Sequence, residues 1–280
     1  MKSGISYWSL PGGLDNLTPI DEALSSVAAA GFEALELAIA PEGVVNTDLT
    51  REACEAIRSK IDASGLAVQS VASGMSWAFN PTSDDASVRE KSIRLHAEAL
   101  QRTAWLGCEA MLFVPGVVNS PIAPDEHIRY DVAIDRARDA VGQLLEVSER
   151  VGVDLCLENV WNGLFLSPLE LVQFVDSFGS DRLGVYLDCG NLLRYHQRPA
   201  HWIELLGHRI KRVHVKGFSE QFDWSGSYRF TPLSETDVPW RETVTALRAA
   251  GYDKTVVAEM LPHRPGLLEE TAAAMKSILA

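Results

Sequence analysis

VDLCLEN at residues 153–159, LGVYLD at 183–188, RIKRVHVKG at 209–217 and TVVAEM at 255–260 are four short apolar runs of one kind. Each is built on aliphatic residues, interleaved with basic ones in RIKRVHVKG, and reads as a buried strand. Each also ends in a group that is costly to bury alone: Glu158, Asp188, His214 and Glu259. Between them lie amphipathic stretches that read as helices: SPLELVQFVDSF (167–178), a short segment over about 200–207, and PWRETVTALRAAGY (239–252). Regular alternation of strand and helix implies a parallel sheet with helices outside it.

The same alternation extends toward the N-terminus. A first strand is expected over about 3–8 (GISYW), then a helix over about 18–30 with Thr18 as N-cap, Pro19 at its first position and Gly31 as its stop. EALELAI (33–39) is the second strand, followed by a helix over about 48–64 that Gly65 ends, and LAVQSVA (66–72) is the third. PTSDDASVREKSIRLHAEALQRTAWLG (81–107) reads as a helix with carboxylates in its first turn, where the helix dipole favours them. AMLFVPG (110–116) is the fourth strand; a long helix over about 127–151 and a last one over about 266–279 complete the set. Eight βα units in 280 residues, with no linker or low-complexity tract, predict a single-domain α/β (β/α)8 TIM barrel spanning residues 1–280. An open Rossmann-like sheet is the rival, but no G-x-G-x-x-G follows the first strand.

Hydrophobic residues form 46% of the chain and charged residues 22%, as in a globular protein with a sizeable core. The formal net charge of −13 argues against a nucleic-acid surface. The start, MKSGISYWSLPGG, has no long apolar run, and no stretch is apolar enough to span a bilayer, so neither a secretory leader nor a membrane partner is expected. Cys54, Cys108, Cys156 and Cys189 are widely spaced, which suits reduced thiols in a cytoplasmic protein. Cys189 reads as a small buried filler.

In a (β/α)8 barrel the reactive end is where the strands finish. A lone Glu there is ordinarily a cap, and a lone His ordinarily a satisfied core residue. Four such groups on consecutive strands would repel or desolvate one another unless a cation sat between them. Three carboxylates and one imidazole suit one divalent ion, with Mn²⁺ the first choice and Mg²⁺, Co²⁺ or Zn²⁺ as alternatives. Lys216 lies two residues beyond His214, on the same strand face, and is placed to meet an anionic oxygen. Glu36 is expected at the barrel mouth, the alternative being a buried salt-bridge partner, and Trp8, Trp77 and Trp161 are candidates to wall a bound molecule, the alternative being core packing. His263 and Arg264 follow the last strand and are candidates for a phosphate, although no Gly-rich cradle accompanies them. The polar, aromatic stretch 218–237 has the length of a functional lid, the alternative being an irregular excursion.

At LENVWNG, YLDCGN, HVKG and GYDKTVVAEM, and at NPTSDDASVREKSI after the third strand, the chain resembles the sugar isomerase/epimerase superfamily with a xylose-isomerase-like barrel. YLDCGN and HVKG look most like the ketose 3-epimerase and L-ribulose-5-phosphate 3-epimerase branch. The resemblance implies metal ligation by Glu158, Asp188, His214 and Glu259, with Glu158 and Glu259 doubling as acid and base. Asn191 matches the 5-phosphate epimerases, where free-ketose epimerases often carry His, and is thereby a substrate-contact candidate. Ser234-Glu235-Thr236 stands where many relatives have a G-E-G turn. Relatives are often homodimers or homotetramers.

The expected chemistry is proton abstraction beside a ketone of a small sugar or sugar phosphate, through an enediolate stabilised by the cation. The same residues would serve 3-epimerisation, aldose–ketose isomerisation, or the loss of water catalysed by an inosose dehydratase-like lyase. A phosphodiesterase would call for more His ligands than seven His in the whole chain offer. A non-catalytic sugar-binding barrel is the alternative outside enzymology.

Overall fold

The computed structural model describes residues 1–221 and 229–280. Its strands are β1 (Lys2–Ser6), β2 (Ala34–Ile39), β3 (Ser70–Ser73), β4 (Ala110–Phe113), β5 (Asp154–Glu158), β6 (Leu183–Asp188), β7 (Ile210–Val215), β8 (Gly217–Ser219), β9 (Arg229–Thr231) and β10 (Thr255–Ala258). The helices are α1 (Ile20–Ala30), α2 (Arg51–Ser64), α3 (Ala86–Trp105), α4 (Tyr130–Val151), α5 (Pro168–Asp176), α6 (Pro199–Leu206), α7 (Trp240–Ala249) and α8 (Leu267–Leu279). Eight strands close a parallel barrel in the order β1-β10-β7-β6-β5-β4-β3-β2, while β8 and β9 form a separate antiparallel pair. The predicted (β/α)8 architecture is therefore the fold.

Closure explains the apolar runs. Every residue of β2 and β6 is buried, because alternate side chains face the barrel interior and the helical shell. The interior packs its own small set, including Ala72, Leu112, Cys156 and Tyr186. Arg212, fully buried on the same face of β7 as His214, pairs with Glu109 at 2.8 Å. All four cysteines are buried and free. Among the described residues, no helix is long and apolar enough to cross a membrane.

Several local expectations are corrected. Thr18 does not cap α1: its hydroxyl donates to the Pro11 carbonyl, and Pro19 holds the cap position without a side-chain bond. Asp85 is the N-cap of α3, accepting from the Ser87 amide at 2.8 Å, so no carboxylate lies in that helix's first turn. Gly31 and Gly65 do end α1 and α2, at φ of +91° and +75°, a region costly for residues with a Cβ. The third strand proper begins at Ser70, four residues after the apolar run begins, with Ala67 making an isolated bridge to Ala34 before it. Within the stretch 218–237, part of the described chain forms the β8–β9 pair, and residues 222–228 lie outside the described residues.

His96 on α3 is fully buried, with Nδ1–H donating to the Ser92 carbonyl at 2.8 Å. Burial pushes its pKa from 6.5 down to about 4. The unfolded chain then takes up this proton near pH 6.5 while the folded chain does so only near pH 4. Its contribution to stability is whole above pH 6.5 and is lost as pH falls through that window, at up to about 1.4 kcal/mol per pH unit. Urea titrations should show a His96→Leu variant losing its disadvantage against the parent between pH 7.5 and 4.5. A gap that stays constant with pH would contradict this assignment.

Candidate active site

The ends of β5, β6, β7 and the strand end just after β10 deliver Glu158, Asp188, His214 and Glu259 to one point. One ligand atom from each lies within 4.8 Å of all the others, and all four residues are buried. His214 Nδ1 is 3.1 Å from Glu259 Oε2 and 3.6 Å from Glu158 Oε1. The Lys216 ammonium is 2.8 Å from Glu259 Oε2 and 3.0 Å from Asp188 Oδ2. Even so, Asp188 Oδ2, His214 Nδ1 and Glu259 Oε2 make no hydrogen bond of ordinary geometry, although each is buried. Orphaned buried donors and acceptors are rare, and three facing one point are what a divalent cation would satisfy. The donor set fits such an ion.

The surrounding chain aims these atoms. Asn159 grips the backbone of Asp188 with both ends of its amide: Nδ2 donates to the carbonyl and Oδ1 accepts from the N–H, each at 2.8 Å. The Asn191 N–H donates to Asp188 Oδ1 at 2.9 Å, leaving Oδ2 directed at the cluster. Gly190 sits where a Cβ would lie 2.7 Å from the Lys216 carbonyl oxygen, so the β6–β7 approach requires glycine there.

Electrostatics split the two glutamates. Burial raises the Glu158 carboxyl to about 7, against the pull of His214 and Lys216. For Glu259 burial also pushes upward, but the Lys216 and His214 charges outweigh it and bring the group to about 2. Burial alone would discharge His214, yet Glu36, Glu158 and Glu259 raise its pKa well above the ordinary value. A neighbouring cavity of about 210 Å³ is lined by Lys216, Glu259, Phe230, Pro232, Leu261 and Arg264, among others, and gives the cluster an approach.

Residues 24–278 match the family described as the xylose isomerase-like TIM barrel. The chain belongs to that family. It is 28% identical over 276 residues to a D-psicose 3-epimerase of Enterocloster bolteae, covering 96% of this chain and 85% of that protein. It is 24% identical over 242 residues to the L-ribulose-5-phosphate 3-epimerase UlaE of Escherichia coli, covering 85% of this chain and 81% of that protein. In three dimensions it superposes on a D-psicose 3-epimerase from Clostridium cellulolyticum H10 with TM-score 0.80 at 21% identity, over 100% of this chain and 99% of the other.

Within this family barrel the expected rim residues divide. Lys216 is brought into the cluster. Trp8 and Trp77 are half-buried, flank Gly74 and pack on the inner barrel set, so they wall the mouth. Trp161 also stays at the rim, its ring stacked on Phe230 at 4.8 Å and its N–H donating to the Asn191 carbonyl at 3.1 Å. The Asn191 side chain, a substrate-contact candidate, donates through Nδ2 to the Asn159 carbonyl at 3.1 Å. Glu36 takes its alternative role, that of a buried salt-bridge partner. It is fully buried and bonded to His214, Ser70 and Tyr186, beneath the cluster rather than at the mouth. His263 Nδ1 donates to the Ser9 carbonyl at 2.9 Å, and the exposed Arg264 pairs with Glu270 at 3.0 Å, although Arg264 does border the cavity. Thr236 of the altered turn serves the β8–β9 pair, accepting from the Phe218 N–H at 2.8 Å.

Sequence reading missed Asn159, Ser70 and Tyr186. Strand alternation places Tyr186 on the face of Asp188, a usable signal. Ser70 and Asn159 carry no signal beyond being polar in apolar company.

Proposed function

We propose that this barrel is a divalent-metal-dependent 3-epimerase of a small ketose or ketose phosphate. The observation that carries the proposal is the convergence of four buried ligand atoms within 4.8 Å, three of them without a hydrogen bond. The names of the two relatives, one a free-sugar and one a sugar-phosphate 3-epimerase, support the reaction class. Glu158, Asp188, His214 and Glu259 would hold the ion, with Mn²⁺ the first choice for this oxygen-rich set. Bound there, it would supply Lewis-acid stabilisation of the charge that develops on a ketone oxygen when the adjacent carbon loses its proton.

The chain's own groups do the proton work. Glu158 and Glu259 stand at the two ends of the arc β5-β6-β7-β10, so they address a flat intermediate from opposite sides. Glu259, ion-paired with the Lys216 ammonium at 2.8 Å, is the group ready to accept a proton. Glu158, at the other end of the arc, is the group that returns one. In the reverse direction the roles exchange. Trp8 and Trp77 would stack on sugar C–H faces and keep water out, while Trp161, stacked on Phe230 and covered by Arg194, would brace that wall.

The test is a panel of ketoses and their phosphates incubated with the enzyme and Mn²⁺ in D₂O, read by mass spectrometry and, after chelation, by NMR. The expected result is deuterium at C3 together with the C3 epimer. No exchange at any carbon across the panel would overturn the proposal. A dehydrated dicarbonyl product would replace it with a lyase.

A further inference from the structure

We propose, resting on the metal-site reading above, that Glu36 is a positioning residue. Its carboxylate, seated by Ser70 and Tyr186, holds the His214 ring with Nε2 protonated, so that Nδ1 turns its lone pair to the cluster.

Glu36 projects from β2 and reaches His214 on β7 across the barrel interior. The two carboxylate oxygens divide the work. Oε2 accepts from the Ser70 hydroxyl at 2.9 Å and from the Tyr186 hydroxyl. Oε1 lies 2.7 Å from His214 Nε2. Two hydroxyls from β3 and β6 thus fix the carboxylate, and its remaining oxygen fixes the ring. An ionised carboxylate only accepts, so the nitrogen facing it must carry the proton. The other neutral tautomer would aim N–H at Glu158 and Glu259 and remove Nδ1 as a ligand.

Burial makes the arrangement costly. Glu36 and Tyr186 have no solvent exposure and Ser70 has 3%. Neighbouring inward positions are filled by Ala72, Ala110 and Leu112, so an aliphatic side chain would suit packing there. A charged group retained at this depth, with every contact directed to one imidazole or to the carboxylate itself, serves that imidazole. A ligand histidine anchored through its second nitrogen is a general device for fixing ring orientation and raising donor strength.

Mn²⁺ affinity, measured by competition with a chromophoric chelator on chains shown to be folded by circular dichroism, tests the proposal. Glu36→Leu should bind Mn²⁺ more weakly by about 10- to 100-fold. Glu36→Gln, which retains an acceptor, should fall between it and the parent, and Tyr186→Phe should show the smallest loss. With diamagnetic Zn²⁺ bound, ring ¹⁵N spectra should show His214 protonated at Nε2 in the parent. If Glu36→Leu does not fold, Tyr186→Phe and Ser70→Ala together with the parent spectrum decide the matter. Unchanged affinity in folded Glu36 variants, or in Tyr186→Phe with Ser70→Ala, would overturn this inference alone, as would an Nδ1–H tautomer. A parent chain that binds neither metal would overturn the metal-site reading and this inference with it.

Discussion

Replacing Glu259 with glutamine is expected to reduce 3-epimerisation by roughly 10²–10⁴-fold, the range general acid–base groups supply. Glutamine keeps the shape and one oxygen but removes the charge that Lys216 and His214 stabilise. Glu158→Gln should cost a similar factor, because each half-reaction uses one of the two groups and a complete epimerisation needs both. Mn²⁺ binding weakens in both variants, so the comparison belongs at saturating metal. A sharper signature lies in exchange from each epimer taken separately. If Glu158 and Glu259 face opposite sides of the substrate, each variant keeps deuterium wash-in from one C3 epimer and loses it from the other. Full epimerisation by either variant would remove its residue from the mechanism. Loss of exchange from both epimers in one variant, with the other variant intact, would point to a single base and thus to isomerisation.

The second large effect concerns Lys216. Its ammonium lies within 3.0 Å of both Asp188 and Glu259, and all three groups are buried. Lys216→Met leaves two carboxylates facing each other without their cation. Breaking a buried ion pair by removing one partner costs about 3–5 kcal/mol. In metal-free protein at pH 7, urea unfolding should therefore show a loss of that order. Unpaired carboxylates acquire raised pKa values in the folded state, so the deficit should shrink as pH falls and the folded chain takes up protons ahead of the unfolded one. Added Mn²⁺ should restore stability, by about 2.7 kcal/mol at one hundred times its dissociation constant. A Lys216→Met chain as stable as the parent without metal would show that Lys216 is not the counter-ion of this cluster.

Much of this was legible in the chain itself. LGVYLD became β6 without a change of boundary, because a strand apolar on both faces has no other way to be buried. The four ends Glu158, Asp188, His214 and Glu259 were legible for the same reason: each interrupts a run that must go inside. Thr18 was misread because a hydroxyl before a helix has several acceptors within reach, and the Pro11 carbonyl won. LAVQSVA was read too long because hydrophobicity reports burial, while strand limits depend on the neighbour's register; Ala67 makes only an isolated bridge to Ala34.

By itself, then, the sequence determined the barrel, the order of its strands along the chain and the residue types at the strand ends. Period-two alternation says which face a side chain takes, and it put Glu36 inside. It says nothing of depth. Depth follows from how far each strand is staggered against its neighbours, and the pairing of Ser6 with Glu36 and of Asp188 with His214 is a property of the closed barrel. That stagger set Glu36 under His214 rather than at the mouth and placed Lys216 between two carboxylates. It also turned three ligand atoms toward one point with only ion pairs and no hydrogen bond among them, since partners distant in sequence meet only once the barrel closes.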